Sequence, residues 1–208
     1  MSVEIDIRIM GVPERMDNIL ASKELLVVPD ENIFIDHEHI GCKWNAARAW
    51  LKETDKSHVM VLQDDVEFCD DFMKYLQITV DLHPDHVITL FPFRFRQHKE
   101  LGRYPATPYV ETDLVSGCGV VMRKEYVVPC VNSWTEEVKG DDTNIKNWAE
   151  ANGIRILTTI PSLIQHVDGG RSVFNPERAL GGTVTFLKDV SGSRWENGTV
   201  TNWSTLKR

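Results

Sequence analysis

The densest meeting of charge and apolar sequence is VMVLQDDVEF, residues 59–68. Asp64 and Asp65 leave the end of a short, continuous apolar run, His58 to Leu62. Two adjacent carboxylates repel each other and lose hydration on burial unless something positive lies between them. A hard divalent cation with oxygen ligands is one such partner. A solvated acidic turn, or an aspartate capping the following helix, is the competing account. The position at the end of a buried strand favours the cation, because ligands of parallel α/β sheets sit at the carboxyl ends of strands. A second acid pair, Asp141 and Asp142, stands just before a segment with helical spacing. One of the two is explained equally well as an N-cap. The helix dipole there stabilises an ionised carboxylate, which at neutral pH can accept a proton from an attacking hydroxyl.

Something must hold those acids in place, and the bulk of the sequence bounds what it is. With 208 residues, 42% hydrophobic and 26% charged, the chain has ordinary globular composition and the length of one domain. No apolar run is long enough to span a bilayer, and the first residues, MSVEIDIRIMGVPERM, lack the basic start and apolar block of a secretory signal. Cys42, Cys69, Cys118 and Cys130 are widely spaced with no CxxC pair. That argues against a structural zinc site and for reduced thiols in a cytoplasmic protein (host cytoplasm for a phage-encoded one). The net charge of −8 argues against general polyanion binding. One local basic stretch remains: Arg94, Arg96, His98, Lys99 and Arg103, interleaved with Phe91, Phe93, Phe95 and Tyr104. It reads as a solvated loop after a strand or as an acceptor-binding patch.

Strand and helix patterns alternate. Strands are predicted at 4–10, around LLVVP and NIFID (25–36), at 58–62, 86–91, within 114–123 and at 154–160. Helices are predicted after Pro13, where Met16, Ile19, Leu20 and Lys23 share a face, and at 45–52, 70–82 and 143–152. Such alternation predicts an α/β fold with a mostly parallel central sheet and helices on both faces. The tail from about Gly169 reads as loop, with one strand around 183–187. The division expected is a catalytic domain over 1–172 and a loop-rich extension over 173–208 packed on or near the site. Neither GxGxxG after a strand nor GxxxxGK[ST] is present, so the usual backbone phosphate cradles are unsupported. A bound diphosphate would then need a cation for most of its charge neutralisation, as in GT-A (Rossmann-like) nucleotide-sugar sites, where an acidic motif holds Mn²⁺ or Mg²⁺.

The order of motifs resembles that of GT-A glycosyltransferases, most nearly the group with a VLEDDV-type motif that includes bacterial lipooligosaccharide and procollagen galactosyltransferases. Four segments carry the likeness: HIGCKWNAARAW (39–50), VMVLQDDVEF (59–68), SGCGVVMRKE (116–125), and KGDDTNIKNWAEANGI (139–154) followed by PSLIQHVDGGRS (161–172). The resemblance implies that Asp65 binds the metal and that His166, matching a late histidine, completes the site. A buried histidine at a strand end is the plain alternative for His166. It implies that Asp64 touches the metal's water shell or the donor ribose. Gln63 departs from the usual acid at its position and removes one charge. Arg15 falls where such enzymes contact base or diphosphate, or is an ordinary surface helix arginine. Gly117, Cys118 and Gly119 let the sugar approach the backbone, or simply pack strands closely. Asp142 is expected as the base of an inverting transfer, with Asp141 supporting the acceptor.

The function expected is metal-dependent transfer from a nucleotide-sugar, UDP-sugars first, to the hydroxyl of a glycan, a hydroxymethylated DNA base or a small molecule. A DNA base would have to be extruded, with Arg94, Arg96, Lys99 and Arg103 gripping the backbone. Two alternatives compete: a metal-dependent phosphatase or nuclease recruiting further acids such as Asp113, and a non-catalytic nucleotide-sugar-binding module.

Overall fold

The structure, a computed structural model, describes residues 3–91, 109–166 and 200–202. The basic residues Arg94, Arg96, Lys99 and Arg103, the strand expected near 183–187 and all of the 173–208 extension except 200–202 lie outside the described residues.

The chain forms α/β architecture. In order it runs β1 (Ile5–Gly11), α1 (Met16–Leu26), β2 (Ile33–Ile35), α2 (Cys42–Leu51), β3 (His58–Gln63), β4 (Val66–Phe68), α3 (Phe72–Leu82), β5 (Val87–Thr89), β6 (Tyr109–Thr112), β7 (Gly119–Arg123), α4 (Lys124–Asn132), α5 (Asp141–Ala151), β8 (Ile156–Thr159), β9 (Ile164–His166) and β10 (Val200–Asn202). Eight strands form one sheet in the order β10-β6-β8-β5-β7-β3-β1-β2. Four pairings are parallel, β1–β2, β1–β3, β5–β8 and β6–β10. Three are antiparallel, β3–β7, β5–β7 and β6–β8.

Alternation along the strands divides the core in two. Ile7, Ile9, Met60, Leu62, Ile88 and Val121 face one way and pack with Ile19 and Leu26 of α1 and Phe72, Leu76 and Val80 of α3. Their neighbours Met10, Val59, Val61, Val87, Val120 and Met122 face the other way, against Ala46, Ala49 and Trp50 of α2, Val127 and Cys130 of α4, and Ile145 and Trp148 of α5. Helices therefore cover both faces, as the buried apolar strands require.

Two features of this topology place the chemistry. Because β7 runs antiparallel beside β3, its first residue pairs with the end of that strand: Leu62 is in register with Gly119, and the Gln63 amide donates to the Cys118 carbonyl at 3.0 Å. Beyond β3 the chain enters a separate two-stranded ribbon, in which Val66 pairs with His166. The glycine-cysteine-glycine segment and the late histidine thus reach the acid motif through strand register.

Local structure departs from the sequence reading in places. LLVVP is not a strand. Helix α1 runs through Leu26 and ends where Val27 adopts a left-handed φ of 53°, its amide and that of Val28 turning back to Glu24 and Lys23 carbonyls. Helix α5 starts at Asp141, with Gly140 as the N-cap residue and no side-chain cap. Neither aspartate is therefore the N-cap. Helix α4 escaped detection because Val127, Val128 and an internal Pro129 have poor helical propensity. Among the described residues no helix is long and apolar enough to cross a membrane.

Candidate active site

Asp64 and Asp65 sit just past β3 and are 4% and 6% exposed. Arg15, in the turn after β1, supplies their positive partner, donating from one guanidinium nitrogen to Asp64 Oδ1 at 3.0 Å and Asp65 Oδ2 at 2.7 Å. Asp64 spends its other oxygen on the Val12 amide at 2.9 Å. A Cβ on Gly11 would lie 2.3 Å from that oxygen, so only glycine lets β1 pass so close. Both oxygens of Asp64 are thereby committed to holding the β1 turn. Burial lifts its carboxyl above the usual value, only partly countered by the Val12 amide and Arg15.

Asp65 is different. Burial would raise its carboxyl, but His166 and Arg15 outweigh burial and hold it below the usual range. Its Oδ1 faces His166 Nδ1 at 3.6 Å, too far for a hydrogen bond. Both atoms are buried, and among the described residues neither has a hydrogen-bond partner. On the other side of the ring, His166 Nε2 meets Cys118 Sγ at 2.9 Å, and Ser116 donates its hydroxyl to the same sulfur at 3.2 Å. Burial disfavours the imidazolium, yet Asp65 and Cys118 more than offset it and raise His166 to about 10.

The acid pair of α5 closes the other wall. Asp141 is 6% exposed, and burial, reinforced by the charge of Asp142, raises its carboxyl to about 7. Cys42, the first residue of α2, links this wall to the acid motif: its Sγ lies 3.9 Å from Asp141 Oδ1 and 3.6 Å from the Gln63 amide nitrogen. Burial and the charges of Asp141, Asp142 and Asp65 push the Cys42 thiol well above its usual value, which keeps it protonated. Asp142 is half-buried and accepts the Thr143 amide at 2.6 Å and its hydroxyl at 3.2 Å. A Cβ on Gly117 would stand 3.2 Å from Gln63 Nε2 and 3.3 Å from Asp141 Oδ1, so the missing side chain lets these two side chains approach the backbone from both sides. Gly119 belongs to the core instead, where a Cβ would strike Ile164 at 2.6 Å.

A chain of contacts therefore links Arg15, Gln63, Asp64, Asp65, Gly117, Cys118, Asp141 and His166 into one cluster, with Asp142 beside Asp141. Cys42 and Ser116 were missed, because a lone cysteine and serine carry no spacing signal. Among the described residues no group of three His, Cys, Asp or Glu side chains is placed to hold a metal. The fit for a cation is the facing pair Asp65 Oδ1 and His166 Nδ1, neither hydrogen-bonded among the described residues. Donors about 2.0–2.2 Å from one cation can stand at that separation. Two protein donors suffice where phosphate oxygens and water complete the shell, the habit of Mg²⁺ at phosphate sites. Asp113 is exposed.

No family model matches the chain, and no curated protein matches it. Among solved structures the chain is similar to the crystal structure of A197 from STIV, at 12% identity over 89% of this chain and 96% of that one, with a TM-score of 0.48. A likeness at that level carries no statement about chemistry.

Proposed function

We propose that the protein is a metal-dependent glycosyltransferase of GT-A type, transferring a sugar from a nucleoside-diphosphate donor, UDP first, to an acceptor hydroxyl with inversion. The reading is carried by one observation: buried Asp65 Oδ1 and His166 Nδ1, neither hydrogen-bonded among the described residues, face each other at 3.6 Å, and Asp141, a carboxyl raised to about 7, is linked to the same acid motif through Cys42 and Gln63. Asp65 and His166 would hold Mn²⁺ or Mg²⁺. A cation there would supply the positive charge that offsets negative charge developing on the departing nucleoside diphosphate.

The chain's own groups do the rest. Arg15 favours the ionised form of both motif carboxylates, against burial, and fixes their direction. Gly117, without a side chain, lets Gln63 and Asp141 come close to its backbone. Of the acid pair, Asp141 suits the proton acceptor better than Asp142, reversing the roles expected from sequence. A base works best with a pKa near the working pH, and Asp142 already accepts two bonds from Thr143. The acceptor is a glycan, a hydroxymethylated DNA base or a small molecule.

The test is incubation with Mn²⁺ and a panel of UDP-, GDP- and dTDP-sugars, following release of nucleoside diphosphate. The expected result is slow release with one donor, lost on Asp65→Asn and reduced about 10²–10⁴-fold by Asp141→Asn, while that variant still binds donor. Inorganic phosphate released from simple esters would instead identify a phosphoesterase. Donor binding with no release under any condition would identify a binding module.

A further inference from the structure

An imidazole ring can turn over by half a rotation at little cost, because its second side-chain torsion is broad and two-fold. His166 can hold a cation jointly with Asp65 only in one of those orientations. Two contacts select it. Phe91 packs edge-on against the ring, with centroids 5.0 Å apart at 83°, and Cys118 Sγ sits 2.9 Å from Nε2. Only the second is directional. Cys118 is itself pinned: Ser116 donates its hydroxyl to the sulfur, its backbone carbonyl accepts the Gln63 amide, and the side chain is 4% exposed. Histidines that bind metals normally donate their remaining ring N–H to a fixed acceptor, which sets the tautomer and frees the ligating nitrogen. Here the group that faces the remaining ring nitrogen is the Cys118 sulfur.

We infer that Cys118 is the positioning residue of the cation site, its sulfur accepting the Nε2 proton of His166 so that Nδ1, the nitrogen facing Asp65 Oδ1, is the one that gives up its proton to a cation. This rests on the reading of Asp65 and His166 as cation ligands. It gives the side chain of Cys118 a task separate from the backbone approach expected of its segment. It also gives a role to a sulfur, weakly hydrated and polarizable, that lies buried against the Nε2 edge of the imidazole. The Ser116 hydroxyl holds the sulfur still.

The experiment measures Mn²⁺ binding to the full chain by calorimetry at one fixed pH, with and without UDP, and checks each metal-free variant by circular dichroism and thermal melting. Cys118→Ala removes the acceptor; Cys118→Val removes it while nearly filling the space. Both are expected to weaken Mn²⁺ binding about 10–100-fold, and Cys118→Ser, whose hydroxyl can still accept, should restore most of it. A merely structural cysteine would instead give melting losses with unchanged affinity and no rescue by serine. If His166→Ala loses Mn²⁺ but both Cys118 variants bind it as the wild type does, the inference on Cys118 is overturned and the cation site stands. If the wild type binds no Mn²⁺ with or without UDP, the cation site falls, and the role of Cys118 with it.

Discussion

Two arginine–carboxylate networks lie on the same strand-and-turn unit and end differently. At one, Arg8 on β1 is fully buried. It donates to Asp6 Oδ2 from Nε at 3.0 Å and Nη2 at 2.6 Å, and to the Ala49 and Trp50 carbonyls at the end of α2 at 2.5 and 2.8 Å. Asn32 completes Asp6 by donating to its other oxygen at 2.7 Å. At the other, seven residues along, Arg15 neutralises Asp64 and Asp65, while Asp65 Oδ1 and His166 Nδ1 face each other at 3.6 Å with no hydrogen bond among the described residues. The first network makes four guanidinium hydrogen bonds and fastens α2 to the sheet. The second keeps two buried atoms open, at a cost in desolvation. A buried network that ends in unmet polar atoms has the form expected of a site that awaits a ligand.

The contrast predicts opposite effects on stability. Arg8→Ala should cost about 3–5 kcal/mol in urea unfolding, because it strands the Asp6 carboxylate and two helix-end carbonyls; a cost below about 1 kcal/mol would remove the distinction. Asp141→Asn should do the reverse. Its carboxyl has an ordinary value of 3.8 and stands at about 7 in the folded chain. Between those values the folded state binds the extra proton, so the wild type loses stability as pH rises from about 4 to about 7. The asparagine variant should therefore match the wild type near pH 4 and exceed it at pH 8. The gain is on the order of 4 kcal/mol at most. Melting temperatures across that range check it, and a constant difference would break the assignment. Gly11→Ala should cost about 1–3 kcal/mol, since the new methyl displaces Asp64 and with it Arg15. The smallest effect belongs to Lys146, whose 2.6 Å pair with Glu150 on α5 is solvent-facing. Lys146→Ala should move stability by about 0.3–0.5 kcal/mol.

Much of this was legible in sequence, for identifiable reasons. The apolar run before Gln63 reads as a buried strand because no polar residue interrupts it. The acids after it are conspicuous because they end that run. Helix α3 and the helical face of Ile145, Trp148 and Ala149 follow from spacing alone. The short β4 and β9 did not show, because three residues are too few to carry a period. Val27 misled, because β-branched residues suggest a strand and nothing local announces a left-handed turn.

Sequence alone determined which residues carry charge, which runs must be buried, and hence an α/β fold with acids at a strand end. It does so because burial is decided by the pattern of apolar side chains along the chain. Only tertiary structure decided the company those acids keep. The antiparallel course of β7 sets Cys118 beside Gln63, and the pairing of Val66 with His166 brings the histidine to Asp65. The insertion of Cys42 beside Asp141 depends on how α2 and α5 pack. Strand register and helix packing join residues far apart in the chain, and the partners a buried charge finds there, rather than its own identity, fix its protonation and its use.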